Sequence, residues 1–119
     1  MPLIQEQFFD IGANLTHESF TEDLDSVLSE ANKLGVKRLS ITGSSVKDSL
    51  EAFELTNRYP ETCISTAGIH PHNAKEFSPA AFSEIKDLLK NDLVKSIGET
   101  GLDFNRNFSS PEDQQKSFE

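Results

Sequence analysis

Apolar residues along the chain come in short runs closed by glycine or polar residues, and each run is followed by a longer stretch with helical spacing. "QFFDIG" is the first run, and "DLDSVLSEANKL" follows with Leu24, Val27, Leu28, Ala31 and Leu34 on one helical face. Gly35 is a natural helix stop. "VKRLSITG" reads as a second strand. "SVKDSLEAFELTNRY" reads as a second helix, opened by Ser45 and ended by Pro60. "CISTAGI" predicts a third strand. Ser78 as cap and Pro79 at the first helical position then announce a third helix, with Phe82, Ile85, Leu88 and Leu89 turned inward.

"LVKSIG" follows as a fourth strand, and Ser110 with Pro111 opens a fourth helix. Strand and helix alternate, and the connections are far too long for hairpins. The pattern predicts an α/β fold with a parallel sheet covered by helices. No repeat, low-complexity tract or linker divides the chain, so residues 1–119 are expected to form a single domain. The fourth helix is formally started but runs only about two turns before Glu119. A four-stranded parallel sheet also has a thin core and open edges, so the expectation is an incomplete domain, the N-terminal part of a longer protein.

Composition narrows the function classes. The net charge of -9 opposes the long-range attraction by which non-specific nucleic-acid binders hold phosphate, so a phosphate substrate would need a bound cation. Cys63 is the single cysteine, which leaves no intrachain disulfide and no thiolate metal cluster and fits a reducing compartment. It falls inside the third strand, where a small core residue is expected. The first residues lack a basic, apolar leader, and no window approaches the about 20 apolar residues of a membrane span, so a soluble, cytoplasmic protein is expected.

The polar chemistry gathers after the strands: Asp10, Gly12 and Asn14 after the first, Thr42 to Ser44 after the second, His70 and His72 after the third, Glu99 and Asp103 after the fourth. Parallel α/β proteins collect functional groups at that end. In "GIHPH" the bland reading is a turn containing two imidazoles; the functional one pairs them with an acid or a phosphate. Glu99, between Gly98 and Gly101, is either a solvated turn residue or a hard ligand for Mg²⁺ or Mn²⁺. Asp103 is an acceptor, a ligand or a loop cap. Arg106, beside Asn105 and Asn107, is a phosphate contact or a surface ion-pair partner. Asp10 is a ligand or an acid orienting its loop, His17 belongs to the approach to the first helix, and Thr42 to Ser45 form an ordinary β-to-α turn able to cradle an anion. Dinucleotide, phosphate-loop, zinc-protease and nucleophile-elbow signatures are absent, which leaves metal-assisted hydrolysis.

Three stretches carry a resemblance: "FDIGANLT" at 9–16, "STAGIHPH" at 65–72 and "IGETGLDFNRNFSSPEDQQ" at 97–115. In order and spacing the chain resembles the TatD-type deoxyribonucleases of the metal-dependent hydrolase superfamily from end to end. The resemblance implies the N-terminal half, about four βα units, of a TIM (β/α)8 barrel of about 250 residues. It implies a metal-dependent phosphodiester hydrolase, a 3′ to 5′ exonuclease on DNA, single-stranded or at 3′ ends. Glu99 is implied as a metal ligand for one or two ions. His70 is implied as the catalytic, phosphate-contacting histidine, with His72 beside it; Asp103 and Arg106 stand as further substrate-side candidates on the reading of the residues alone. Many relatives carry Asp-x-His-x-His where this chain reads Asp10-Ile11-Gly12-Ala13-Asn14, so Asp10 and Asn14 are left to hold a weaker ion or none, and oxygen ligands alone favour Mg²⁺ or Mn²⁺ over Zn²⁺. The family's remaining ligands fall beyond Glu119, so the 119-residue chain alone is expected to be inactive. Two alternatives are another amidohydrolase-like enzyme of the superfamily and a non-catalytic half-barrel assembly module.

Overall fold

The computed structural model describes residues 6–119; the first part of the N-terminal segment read above for a leader lies outside them. Four strands, β1 (Phe8–Ala13), β2 (Val36–Ile41), β3 (Cys63–Ala67) and β4 (Val94–Ile97), form one sheet in the order β1-β2-β3-β4, with every pairing parallel. Helices α1 (Leu24–Lys33), α2 (Val46–Arg58) and α3 (Pro79–Leu88) make the crossovers, and α4 (Pro111–Phe118) follows β4. A doubly wound sheet reverses its strand order at a switch point, whereas a barrel wall adds each strand beside the last. The unbroken order here is that of successive βα units in a TIM-barrel wall.

The helix ends are local chemistry. Ser45, Ser78 and Ser110 each accept the backbone N–H three residues on, from Asp48 at 3.0 Å, Ala81 at 3.0 Å and Asp113 at 3.1 Å. Each satisfies a donor that the first turn would otherwise leave unpaired. Gly35 ends α1 with φ of 103°, a left-handed conformation that disfavours a side chain, and its carbonyl accepts Phe8 N–H at 2.8 Å to start β1 beside β2.

The core lies between the sheet and the helices. Leu24 and Leu28 of α1 meet Leu39, Ile41, Ala52 and Cys63, and Ala67, Leu88 and Val94 form a second cluster with Phe53 and Ile85 against it. Cys63 is fully buried, as its place in the third strand predicts. Two inward assignments do not hold. Leu34 is 80% exposed because it caps α1 where the helix has already turned away, and Phe82 is 55% exposed on the flank of α3, where Ala81 instead packs inward. Helix α2 approaches the sheet through Ser49, Ala52 and Thr56, all buried, so its contact face is small rather than greasy. That close approach brings the start of α2 against the strand ends where the polar residues gather.

Candidate active site

Three strand ends are joined beyond the regular ladder. Gly98 N–H donates to Ala67 C=O at 3.0 Å, and Glu99 N–H reaches past the end of β3 to Gly43 C=O at 2.7 Å. That crossing needs glycine at position 68. A Cβ there would lie 2.6 Å from the Gly98 carbonyl carbon and 2.7 Å from Glu99 O. Ser49 Oγ accepts Gly68 N–H at 3.1 Å, tying the first turns of α2 to the same point. A Cβ at Gly43 would meet Ser49 Oγ at 2.4 Å and Thr66 O at 2.7 Å, so both glycines are required by close packing.

His70 hangs on this frame. Its N–H donates to Ser44 C=O at 2.9 Å, and Asn73 Nδ2 donates to the same carbonyl at 2.9 Å. Ser44 is fixed in turn by Asp48, whose Oδ2 accepts Ser44 N–H at 2.9 Å and Ser44 Oγ–H at 2.7 Å, while its Oδ1 accepts the Thr16 hydroxyl. The His70 ring caps the 3₁₀ segment Pro71–Glu76, and Nδ1 accepts His72 N–H at 3.0 Å. A backbone N–H can only donate, so in the neutral ring the proton sits on Nε2. That nitrogen lies 3.5 Å from Glu99 Oε1, with the His70 side chain 23% and the Glu99 side chain 54% exposed.

His72 is held from three sides. Its ring meets His70 edge-on at 4.4 Å and Phe108 at 4.7 Å, and Nε2 lies 3.1 Å from Asp103 Oδ2. Asp103 Oδ1 also accepts Asn105 N–H at 3.0 Å and Arg106 N–H at 3.4 Å. The His72 bond first, then these backbone donors, hold the Asp103 carboxyl below its ordinary value. Gln114 of α4, itself buried, accepts Asp103 N–H and donates to Asp103 C=O, both at 2.9 Å, and donates to Ser109 C=O at 3.0 Å. Ser109 Oγ closes the arrangement on His72 C=O at 2.9 Å.

The structure thus brings His70 to Glu99 and His72 to Asp103, and sets the two imidazoles side by side. It does not draw Asp10, Asn14 or Arg106 into the group. Asp10 lies within β1 rather than after it, exposed, with Oδ1 folded back onto Gly12 N–H at 3.0 Å. The ladder is irregular just after it, where β1 carries one residue more than β2 between the pairs Asp10–Leu39 and Ala13–Ile41. Asn14 is exposed beyond the strand, and Arg106 is exposed in the loop that Asp103 caps.

As to a metal, the Glu99 carboxylate is open enough to offer lone pairs to a cation, and His70 stands beside it. Among the described residues no group of three His, Cys, Asp or Glu side chains could hold an ion. Hard divalent cations take about six oxygen ligands, so these residues fit one wall of a metal centre and not a whole one. Sequence reading missed Ser49, Thr66, Asp48, Ser109 and Gln114. Their bonds span up to 37 positions, and the signal available in the sequence was only that small hydroxyl residues recur near each strand end.

A parallel βα wall that carries a histidine and a carboxylate on adjacent strand ends defines the class: part of a TIM-barrel protein with its polar site on the C-terminal face. The chain belongs to the TatD family, since residues 9–119 match the family described as TatD related DNase. Among curated relatives, the 3′-5′ ssDNA/RNA exonuclease TatD of Salmonella typhimurium is 47% identical over 111 residues. That alignment takes in 93% of this chain and 42% of the relative. The protein of the same name from Pectobacterium carotovorum subsp. carotovorum is 46% identical over 110 residues, covering 92% of this chain and 42% of the relative. A TatD family hydrolase of known structure from Entamoeba histolytica superposes with a TM-score of 0.87 at 33% identity, over 95% of this chain and 44% of that one. A TatD homologue from Escherichia coli has the same fold, with a TM-score of 0.81 at 22% identity over 93% and 43% of the two chains. The chain therefore spans less than half the length of these relatives.

Proposed function

We propose that residues 1–119 form part of one TatD-type hydrolase domain. In it they supply one wall of the centre of a metal-dependent 3′ to 5′ exonuclease acting on single-stranded DNA or RNA in the cytoplasm. The observation that carries the reading is the His70–Glu99 pair on adjacent strand ends, at 3.5 Å, in a chain of this family. Glu99 would hold a divalent ion, Mg²⁺ or Mn²⁺ by its hard oxygen donors, together with ligands that the described residues do not supply. When bound, the ion would activate water and offset charge on the phosphate.

His70 has a narrower task than a general base. Its Nδ1 is occupied by the His72 N–H, so Nε2–H is the group it can offer, and a donor there suits a phosphoryl oxygen. His72 and Asp103 hold the 3₁₀ segment that carries His70 against the loop after Glu99. The acidic chain then depends on a cation to admit phosphate, which supports metal dependence.

The test is a chimera in which residues 9–119 replace the matching segment of the Salmonella typhimurium relative, assayed on single-stranded DNA and RNA. Glu99→Ala is expected to cut turnover at least about a hundredfold, the size of a lost charge-stabilising group. Activity within a few-fold of the parent chimera would sink the ligand role. His70→Ala is expected to lower turnover and leave metal affinity intact; loss of metal binding would make His70 a ligand instead. Cleavage of small amides with no action on nucleic acid would favour the amidohydrolase-like reading.

A further inference from the structure

We infer that Thr66 is the positioning residue for Glu99; the functional part of this rests on the reading of Glu99 as the cation-facing carboxylate. Along β3, Cys63, Ser65 and Ala67 are buried toward the helices, and Thr66 points to the other face. Its Oγ1 accepts Gly43 N–H at 3.0 Å and donates to Gly98 C=O at 2.7 Å. One hydroxyl has one proton and two lone pairs, so both bonds are made at once.

The second of these bonds bears on Glu99. Gly98 C=O and Glu99 N–H belong to the same peptide group, and that N–H donates to Gly43 C=O at 2.7 Å. Both polar groups of the peptide leading into Glu99 are therefore held, one by Thr66 directly and the other by Gly43, whose own N–H Thr66 accepts. Past Ile97 the regular ladder has ended and Glu99 is exposed, so apart from the His70 ring 3.5 Å away little else fixes the direction of its carboxylate. Gly68 lets the peptide approach, and Thr66 locks it there. Valine has the same shape and could make neither bond; serine could make both. A tip that swings by about 1 Å would part the carboxylate from His70 Nε2 and from any shared ligand.

The experiment is run on the full chain with Thr66→Val, Thr66→Ser and Thr66→Ala, the last serving should valine disturb folding. Amide exchange at Glu99 is expected to quicken at least about tenfold in the valine and alanine variants, where both hydrogen bonds of the Thr66 hydroxyl are lost. It should stay within twofold in Thr66→Ser, with the Leu39 amide, bonded to Thr62 C=O deep in β2, unchanged throughout. Mn²⁺ titration reads the function. Broadening of the Glu99 amide and His70 ring signals should need several-fold more Mn²⁺ in Thr66→Val and Thr66→Ala, return to the parent value in Thr66→Ser, and be lost in Glu99→Gln. Unchanged Glu99 exchange in the valine and alanine variants would overturn the positioning role, as would equal acceleration at Leu39. Unchanged Mn²⁺ broadening in Glu99→Gln would overturn the ligand reading of Glu99, and the exchange arm would still decide Thr66 on its own.

Discussion

His72 and Asp103 show how much a residue's role depends on a partner far along the chain. Asp103 Oδ2 meets a ring 31 positions earlier, and the bond lowers the Asp103 carboxyl from its usual 3.8. A carboxyl depressed on folding adds stability above the unfolded value, and that stability is lost as pH falls through the folded one. The loop 103–108 is therefore expected to stay docked until the pH falls below the ordinary carboxylate range, followed by the amide signals of Asn105 and Arg106. In Asp103→Asn this acid step should vanish. Cys63 responds in the opposite direction. Burial pushes its thiol from 9.0 up to about 11. Between those values the unfolded chain gives up its proton first, so stability falls as pH rises through that window. At pH 8 the folded chain should resist thiol alkylation and the urea-unfolded chain should react promptly; equal rates would contradict the burial.

At the scale of elements, the strand-end glycines limit what can be substituted. Gly68→Ala would place a methyl 2.6 Å from the Gly98 carbonyl carbon, against backbone that has no rotamer to yield. The variant should lose at least about 2 kcal/mol in urea unfolding and shift the Glu99 amide signal, whereas a clash relieved without cost would leave both unchanged. Much of this level was legible in the sequence. Ser45, Ser78 and Ser110 could be read as caps because a cap acts within three residues. The alternation of runs gave the parallel sheet, and with it the strand ends where His70 and Glu99 stand. Leu34 and Phe82 were misread because helical spacing defines a stripe but not which neighbour covers it. The face of α2 went unseen because Ser49 and Thr56 carry no apolar signal. The bonds of Ser49 and Thr66 depend on strand register, which sequence periodicity does not fix between strands.

For the whole molecule the telling surfaces are the outer strands. Phe8, Phe9 and Ile11 of β1 and Ile97 of β4 are exposed at the two edges of the described sheet. Ile97 also lines an apolar groove of about 400 Å³ with Phe77, Phe82, Ile85, Leu89 and Phe118. Open edges beside apolar surface invite pairing, and a net charge of -9 opposes it. The 119-residue chain is expected to associate as its concentration and the salt rise, seen in sedimentation equilibrium, and Ile97→Lys should weaken that association. A monomer at all salt concentrations would show that the edges are covered in some other way. Among the described residues no helix is long and apolar enough to cross a membrane.

The buried amide of Gln114 adds an order in time. Gln114 bonds the Asp103 peptide N–H and C=O much as a neighbouring strand would, from a helix that follows it in the chain. On the ribosome the N-terminal part of a protein emerges first, at about 5–20 residues per second. His70 and His72 thus leave the exit tunnel well before α4 does. Until α4 has cleared it, the Asp103 loop lacks the support of that amide, and His72 waits for its carboxylate partner. The strands precede it in the chain, yet this corner of the site can be complete only after residues 111–118 have been synthesised.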